Sequence, residues 1–205
     1  MTTGSGPAAD PWTLVQPESS RRLLTAAIEA FAEQGYHATT TRDIAQRAGM
    51  SPAALYVHYP SKASLLGRIS RVGHEAALAL VQQAISDGAD PLDRLRLLVT
   101  RFVAWHAEHH RVARIVQYEL GSLPEPDRQV AIRQRREIEA LVAEQIREGA
   151  ACGQLRVDEP RRVARAILSL GVDVARWYDP AGHDTPAVIG ALYADLAARM
   201  LGARE

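Results

Sequence analysis

The stretch "AGMSPAALYVHYPSK", residues 48–62, constrains the fold more than any other part of the chain. Gly49 stops one helix, Ser51 caps the next, Pro52 takes the first helical position where its missing N–H costs nothing, and Pro60 ends the run. Just upstream, "TTTRDIAQRAG" supplies a cap at Thr40, an acid three residues later at Asp43, and one apolar face of Ile44, Ala45 and Ala48. Two short helices flanking a glycine turn form the pattern of a helix-turn-helix, whose second helix enters the major groove while the first crosses behind it. The alanines keep the leading edge of that second helix slim enough to approach base edges, where a methyl also meets a thymine methyl.

Charge supports this locally and not globally. The chain carries 24 basic and 24 acidic residues, so its overall balance does not announce nucleic acid. Between residues 42 and 71, however, Arg42, Arg47, Lys62, Arg68 and Arg71 face a single acid, Asp43. Lys62 is the only lysine in the sequence, which keeps one compact, rotatable ammonium where arginine is used everywhere else.

Other classes are disfavoured. No apolar run approaches the roughly 20 residues that span a bilayer, and the start has neither a charged nor an apolar leader region, so a soluble, cytoplasmic chain without membrane contact is expected. A lone Cys152 builds neither an internal disulfide nor a thiolate zinc site. "HAEHH", residues 106–110, lacks the H-E-x-x-H spacing of a zinc hydrolase and reads as solvent-facing or pocket-lining histidines. No nucleophile elbow or phosphate loop is present, so neither an enzyme nor a resident metal or cofactor is expected. A helical adaptor would account for the C-terminal part but not for the capped double helix and its basic excess.

The breakers divide the chain into an all-α fold of nine helices. Residues 1–17, rich in Gly, Pro, Ala and Thr, read as a disordered tail. Leu23, Leu24, Ala27, Ile28 and Phe31 mark a first helix over 20–34, capped by Ser19 or Ser20 and stopped at Gly35. It completes a three-helix DNA-binding domain over 18–66. A long helix from Ser61 to near Ser86 has no internal proline and enters a second domain, 67–205, as a rigid lever. Further helices are expected near 91–109, 111–120, 126–149, 160–178 and 186–201.

The residues "TTRDIAQRAGMSPAALYVHYPSKASLL", 40–66, resemble the N-terminal signature of the TetR family of bacterial transcription regulators. That resemblance implies an N-terminal helix-turn-helix domain followed by a helical domain for ligand binding and dimerisation. It implies that Thr41 and Arg42 contact the DNA backbone and the adjoining groove, and that Pro52, Ala53 and Ala54 face base edges. Tyr56 and His58 would contact phosphate or sugar, and Lys62 phosphate. Many family members carry Gly where this chain has Ala54. The recognition helix also offers no Arg, Asn or Gln before Tyr56, so specificity leans on DNA shape, methyl contacts and Arg42.

The penultimate helix carries two apolar stripes, one of Val163, Ile167, Leu170, Val174 and Trp177 and one of Ala164, Leu168, Gly171 and Ala175. Two apolar faces need two partners. A two-fold bundle of the last two helices, built on Ala164, Leu168, Gly171, Ala175, Val188, Leu192 and Leu196, supplies the second and resembles the family's homodimer interface. Such a homodimer presents two recognition helices to a palindromic operator in double-stranded DNA. Polar or aromatic residues on otherwise apolar helices, Trp105, His109, Tyr118, Asp173, Arg176, Trp177 and Tyr178, are the candidates for an effector pocket. The "RWYDPAG" segment resembles a TetR branch that responds to acyl-CoA thioesters in lipid or steroid breakdown, with arginines such as Arg176 or those of "IRQRRE" meeting phosphates. The expectation is therefore a repressor released by an apolar or amphipathic effector. Control of an efflux or drug-response gene by an aromatic or cationic effector is the alternative.

Overall fold

A computed structural model describes residues 10–203, all of whose regular elements are helical. Nine α-helices occur among the described residues: α1 Glu18–Gln34, α2 Thr41–Arg47, α3 Pro52–His58, α4 Lys62–Asp87, α5 Pro91–Glu108, α6 His110–Tyr118, α7 Glu125–Ala151, α8 Pro160–Trp177 and α9 Pro186–Met200. Single 3-10 turns lie at Pro11–Leu14 and Leu120–Ser122.

The expected stop signals act as written. The Thr40 hydroxyl accepts from the backbone N–H of Asp43 at 3.2 Å, and the Asp43 carboxylate accepts from the backbone N–H of Thr40 at 2.8 Å, a reciprocal cap that starts α2. The Thr40 hydroxyl also donates to that carboxylate at 2.7 Å, and this bond first, then the one from the Thr40 backbone N–H, holds the Asp43 carboxyl below the usual carboxylate range. Gly49 adopts φ +65°, a left-handed conformation that a side chain would strain, and this turns the chain from α2 into α3. The Ser51 hydroxyl then caps α3 by accepting from the N–H of Ala54 at 3.1 Å.

Two expectations at the N-terminus are corrected. Helix α1 begins at Glu18 behind Pro17 with no side-chain cap, because the two serines have other partners. Ser19 Oγ meets His58 Nε2 at 2.8 Å and Ser20 Oγ meets the Tyr59 hydroxyl at 2.6 Å, so both tie α1 to the end of α3. The tail assigned to residues 1–17 is structured from Asp10 onward, and its residues 1–9 lie outside the described residues. Trp12 is 2% exposed, wedged between α4 and α5, with its indole N–H directed at the Ile69 carbonyl at 3.4 Å. Gly73 makes that wedge possible: a Cβ there would lie 3.2 Å from the Trp12 ring.

The core runs through both parts of the chain. Leu23, Leu24, Ile44, Leu55, Leu65 and Leu66 fill the three-helix head, and Ile69, Val81, Leu95, Leu98 and Ile146 continue it into the helical body. Helix α4 belongs to both, contributing Leu65 and Leu66 to one and Val81 and Ala84 to the other.

Candidate DNA interface and effector cavity

Helix α3 turns Leu55 and Tyr59 inward, so Ala53, Tyr56 and Val57 point away from the core. Pro52 and Ala53 are exposed and Ala54 is half-buried at the leading end. Tyr56 is 52% exposed, and its hydroxyl lies 3.0 Å from Thr41 Oγ1, which places the start of α2 beside the middle of α3 on one outward surface. Arg42 is exposed next to them. Sequence reasoning passed over Val57, which at 80% exposure is the most open large apolar side chain among the described residues. The signal was present: with Leu55 and Tyr59 inward, helical spacing forces position 57 outward.

Two expected phosphate contacts are otherwise engaged. Lys62 Nζ donates to the backbone carbonyls of Tyr36 at 2.6 Å, Thr39 at 2.8 Å and His37 at 3.2 Å, which uses all three of its N–H groups to close the loop between α1 and α2. His58 is held by Ser19 and only half-exposed. The basic excess is also smaller than the count suggests. Arg47 makes a bidentate pair with Glu33, and Arg71 pairs with Asp127 at 2.7 Å.

Behind this head lies a cavity of about 440 Å³ between α4, α5, α6, α7 and α8. Its wall is mainly apolar, with Trp12, Ala77, Phe102, Trp105, Ile138, Leu168 and Val172. Polar groups enter it from α4, α5 and α7. His74 Nδ1–H donates to the Ser70 carbonyl at 2.8 Å, which leaves Nε2 to accept from Arg135 Nε–H at 2.9 Å. Burial first, and then the Arg135 charge, pushes His74 down to about 4. His106 donates from Nδ1 to the Phe102 carbonyl at 2.8 Å, and burial likewise pushes it down to about 4. Arg165 with Glu139, and Arg176 with Asp173, form ion pairs at the rim.

Of the expected pocket residues, Trp105, Tyr118, Asp173 and Arg176 line this cavity. His109, Trp177 and Tyr178 do not. His109 joins the two indoles in a three-ring cluster, edge-on to Trp12 at 5.3 Å and tilted against Trp105 at 4.9 Å. Tyr178 packs on His110 at 5.3 Å, and Trp177 faces outward. Trp12, His74, His106 and Arg135 are additional wall residues. A lone tryptophan in a stretch of small residues, and a histidine in the apolar run of α4, were the available signals.

The small stripe of α8 is also corrected. Ala164, Gly171 and Ala175 are buried within the subunit, with Gly171 against Phe102 and Val103 of α5, and Leu168 and Ala175 reach the cavity wall. Small side chains let α8 approach α5 closely, so this stripe turns inward. Left outside are Leu170 and Trp177 of α8 with Val188, Leu192, Leu196 and Met200 of α9, each between 43 and 54% exposed. No helix among the described residues is long and apolar enough to cross a membrane.

A family model described as "Bacterial regulatory proteins, tetR family" matches residues 23–69, and one described as "Tetracyclin repressor-like, C-terminal domain" matches residues 88–201. The chain is 32% identical over 190 residues to the HTH-type transcriptional repressor KstR2 of Mycolicibacterium smegmatis, covering 89% of this chain and 91% of that protein. A tetR-family regulatory protein from Rhodococcus RHA1 is 40% identical, with a TM-score of 0.87 over 92% of this chain and all of the other. The ketosteroid transcriptional regulator KstR2 of Mycobacterium tuberculosis is 27% identical, with a TM-score of 0.83 over 93% of this chain and 97% of the other. The head with its outward α3 and the cavity behind it therefore belong to a DNA-binding transcriptional regulator of the TetR family.

Proposed function

We propose that the protein is a repressor that binds a palindromic operator as a homodimer and releases it when an acyl-CoA thioester from lipid or steroid breakdown enters the cavity. The observation that carries this reading is the position of the cavity. Its α4 wall, at Gly73, His74 and Ala77, belongs to the same helix whose first turn holds Lys62 and places Leu65 and Leu66 in the core of the three-helix head. An occupant that shifts α4 changes the separation of the two recognition helices, which must sit roughly 34 to 36 Å apart to read successive turns of one DNA face. Affinity then falls by the occupant's differential binding to the two arrangements.

The apolar wall suits an acyl chain or fused rings, and Arg114 beside the opening, which unlike Arg165 and Arg176 has no carboxylate partner among the described residues, suits a phosphate. Relatives named as a repressor and as a ketosteroid regulator favour the same metabolic setting. A cationic effector fits less well, because Glu139 and Asp173 are each already paired with an arginine. The exposed row of Leu170, Trp177, Val188, Leu192, Leu196 and Met200 is the surface on which a second copy would dock.

Fluorescence anisotropy on the DNA upstream of the protein's own gene tests this at two salt concentrations, with and without a panel of CoA thioesters. Tight, salt-sensitive binding released by a thioester is expected. Binding that every thioester leaves intact would discard the effector class while keeping the regulator.

A further inference from the structure

Arg135 is a partly buried charge on the cavity wall that no carboxylate compensates among the described residues. Its guanidinium is half-buried and desolvated enough to lower its basicity. Among the described residues no carboxylate lies within ion-pair distance of it, although Arg165 and Arg176 at the same cavity each have one. Its single protein partner is His74 Nε2, a neutral acceptor: the bond from Nδ1–H to the Ser70 carbonyl fixes the tautomer, and burial beside the Arg135 charge keeps the ring unprotonated.

That pairing has a specific physical effect. A neutral imidazole fixes the orientation of the guanidinium through Nε without cancelling its charge, whereas a carboxylate there would have done both. The four N–H groups on the two Nη atoms remain without a protein partner among the described residues; the cavity wall includes the apolar Trp12, Phe102, Trp105 and Ile138, and its carboxylates Glu139 and Asp173 are already paired with Arg165 and Arg176. An oriented, partly desolvated cation with a free two-pronged edge in an apolar cavity matches a planar, bidentate anion.

We propose that the effector carries a carboxylate on its apolar body and that Arg135, held by His74, is the residue that selects it. This rests on the assignment of the cavity as the effector site and adds to it: if the effector is an acyl-CoA, its acyl part bears an acid group besides the phosphates of the carrier.

The probes are octanoate and octanamide, which match in shape and differ in charge, titrated by intrinsic fluorescence and thermal shift into the wild-type protein, Arg135→Gln and Arg135→Lys. Octanoate is expected to bind the wild type at least about tenfold more tightly than octanamide, with the preference reduced to about twofold or less in Arg135→Gln and partly kept in Arg135→Lys. The retained preference in the lysine variant, together with unchanged operator binding by both ligand-free variants, separates lost recognition from lost folding. Equal binding of the two probes, no binding of either, or a preference that survives Arg135→Gln overturns the proposal. Operator release by octanoyl-CoA and by its ω-carboxylated counterpart is scored separately. A carboxylate preference without thioester response keeps this assignment and discards the thioester reading, and equal response to both thioesters without that preference does the reverse.

Discussion

The ammonium of Lys62 sits 4.4 Å over the ring centre of Tyr36 and donates to that residue's own carbonyl at 2.6 Å. The first turn of α4 is thereby fastened to the loop that aims α2, with the Tyr36 ring packed edge-on against Phe31 at 5.1 Å. Lys62→Met is expected to lower stability by about 2 kcal/mol, the scale of lost charge-assisted hydrogen bonds to partly buried carbonyls. It should weaken operator binding without changing the slope of log affinity against log salt. A slope reduced by about 0.9 would instead mark a direct phosphate contact.

Arg42 and Val57 should separate in the same measurement. Arg42→Ala is expected to reduce the salt slope by about one, as for a backbone contact, and also to narrow the preference for operator over scrambled duplex, as for a contact in the adjoining groove. Val57→Ala removes apolar area from the outward face of α3 and should cost specific operator affinity alone, by about threefold to tenfold, with the slope unchanged. Titrations against operator and scrambled duplex across a salt series would check both.

On the outer face, Leu192 and Leu196 stand one helical turn apart on α9, with Leu170 and Trp177 contributed by α8. Leu192→Glu places a charge in the middle of that row and is expected to convert a dimer to monomers in sedimentation equilibrium while leaving the monomer's helicity intact. Gly171→Leu, by contrast, should unfold the subunit, because its side chain would meet Phe102 and Val103 inside the core.

Acid should loosen the body of the protein. His74 and His106 are both held near 4 in the folded chain, below the ordinary histidine value of 6.5. Between those values the unfolded chain binds protons that the folded chain refuses, so stability is full above about pH 6.5 and falls as pH drops toward 4. Each histidine contributes a slope of up to about 1.4 kcal/mol per pH unit inside that window. Urea unfolding at pH 7, 6 and 5 should show the decline, and His106→Phe should flatten it. The Arg135 charge faces both imidazoles and reinforces the shift, and His109 also faces His106.

The helix-turn-helix was legible because its determinants are local: Thr40 with Asp43, Gly49, Ser51 and Pro52 act within a few residues of where they stand. Trp12 was not, since its burial depends on a notch at Gly73 that exists only once α4 and α5 are packed. The anchoring of Lys62 was hidden for a similar reason, its three carbonyl partners lying 23 to 26 residues away in sequence. On α8 both stripes send residues inward, Ile167 and Val174 from one and Ala164, Gly171 and Ala175 from the other, so periodicity alone does not single out Leu170 and Trp177 as the outward pair. The close approach to α5 at Gly171, where a Cβ would lie 3.1 Å from Phe102, is set by tertiary packing.

The three tryptophans of the chain fall into two separate places. Trp12 and Trp105 stand 6.0 Å apart on the cavity wall, and Trp177 lies on the outer face beside α9. The protein thus carries two optical reporters that need no label: replacing Trp177 with Phe leaves a signal that follows occupancy of the interior, and replacing the inner pair leaves one that follows the state of the outer surface. Filling of the cavity and any change at the proposed docking surface can then be timed by stopped-flow in the two variants side by side, so the order of events in the proposed release becomes a directly observable quantity.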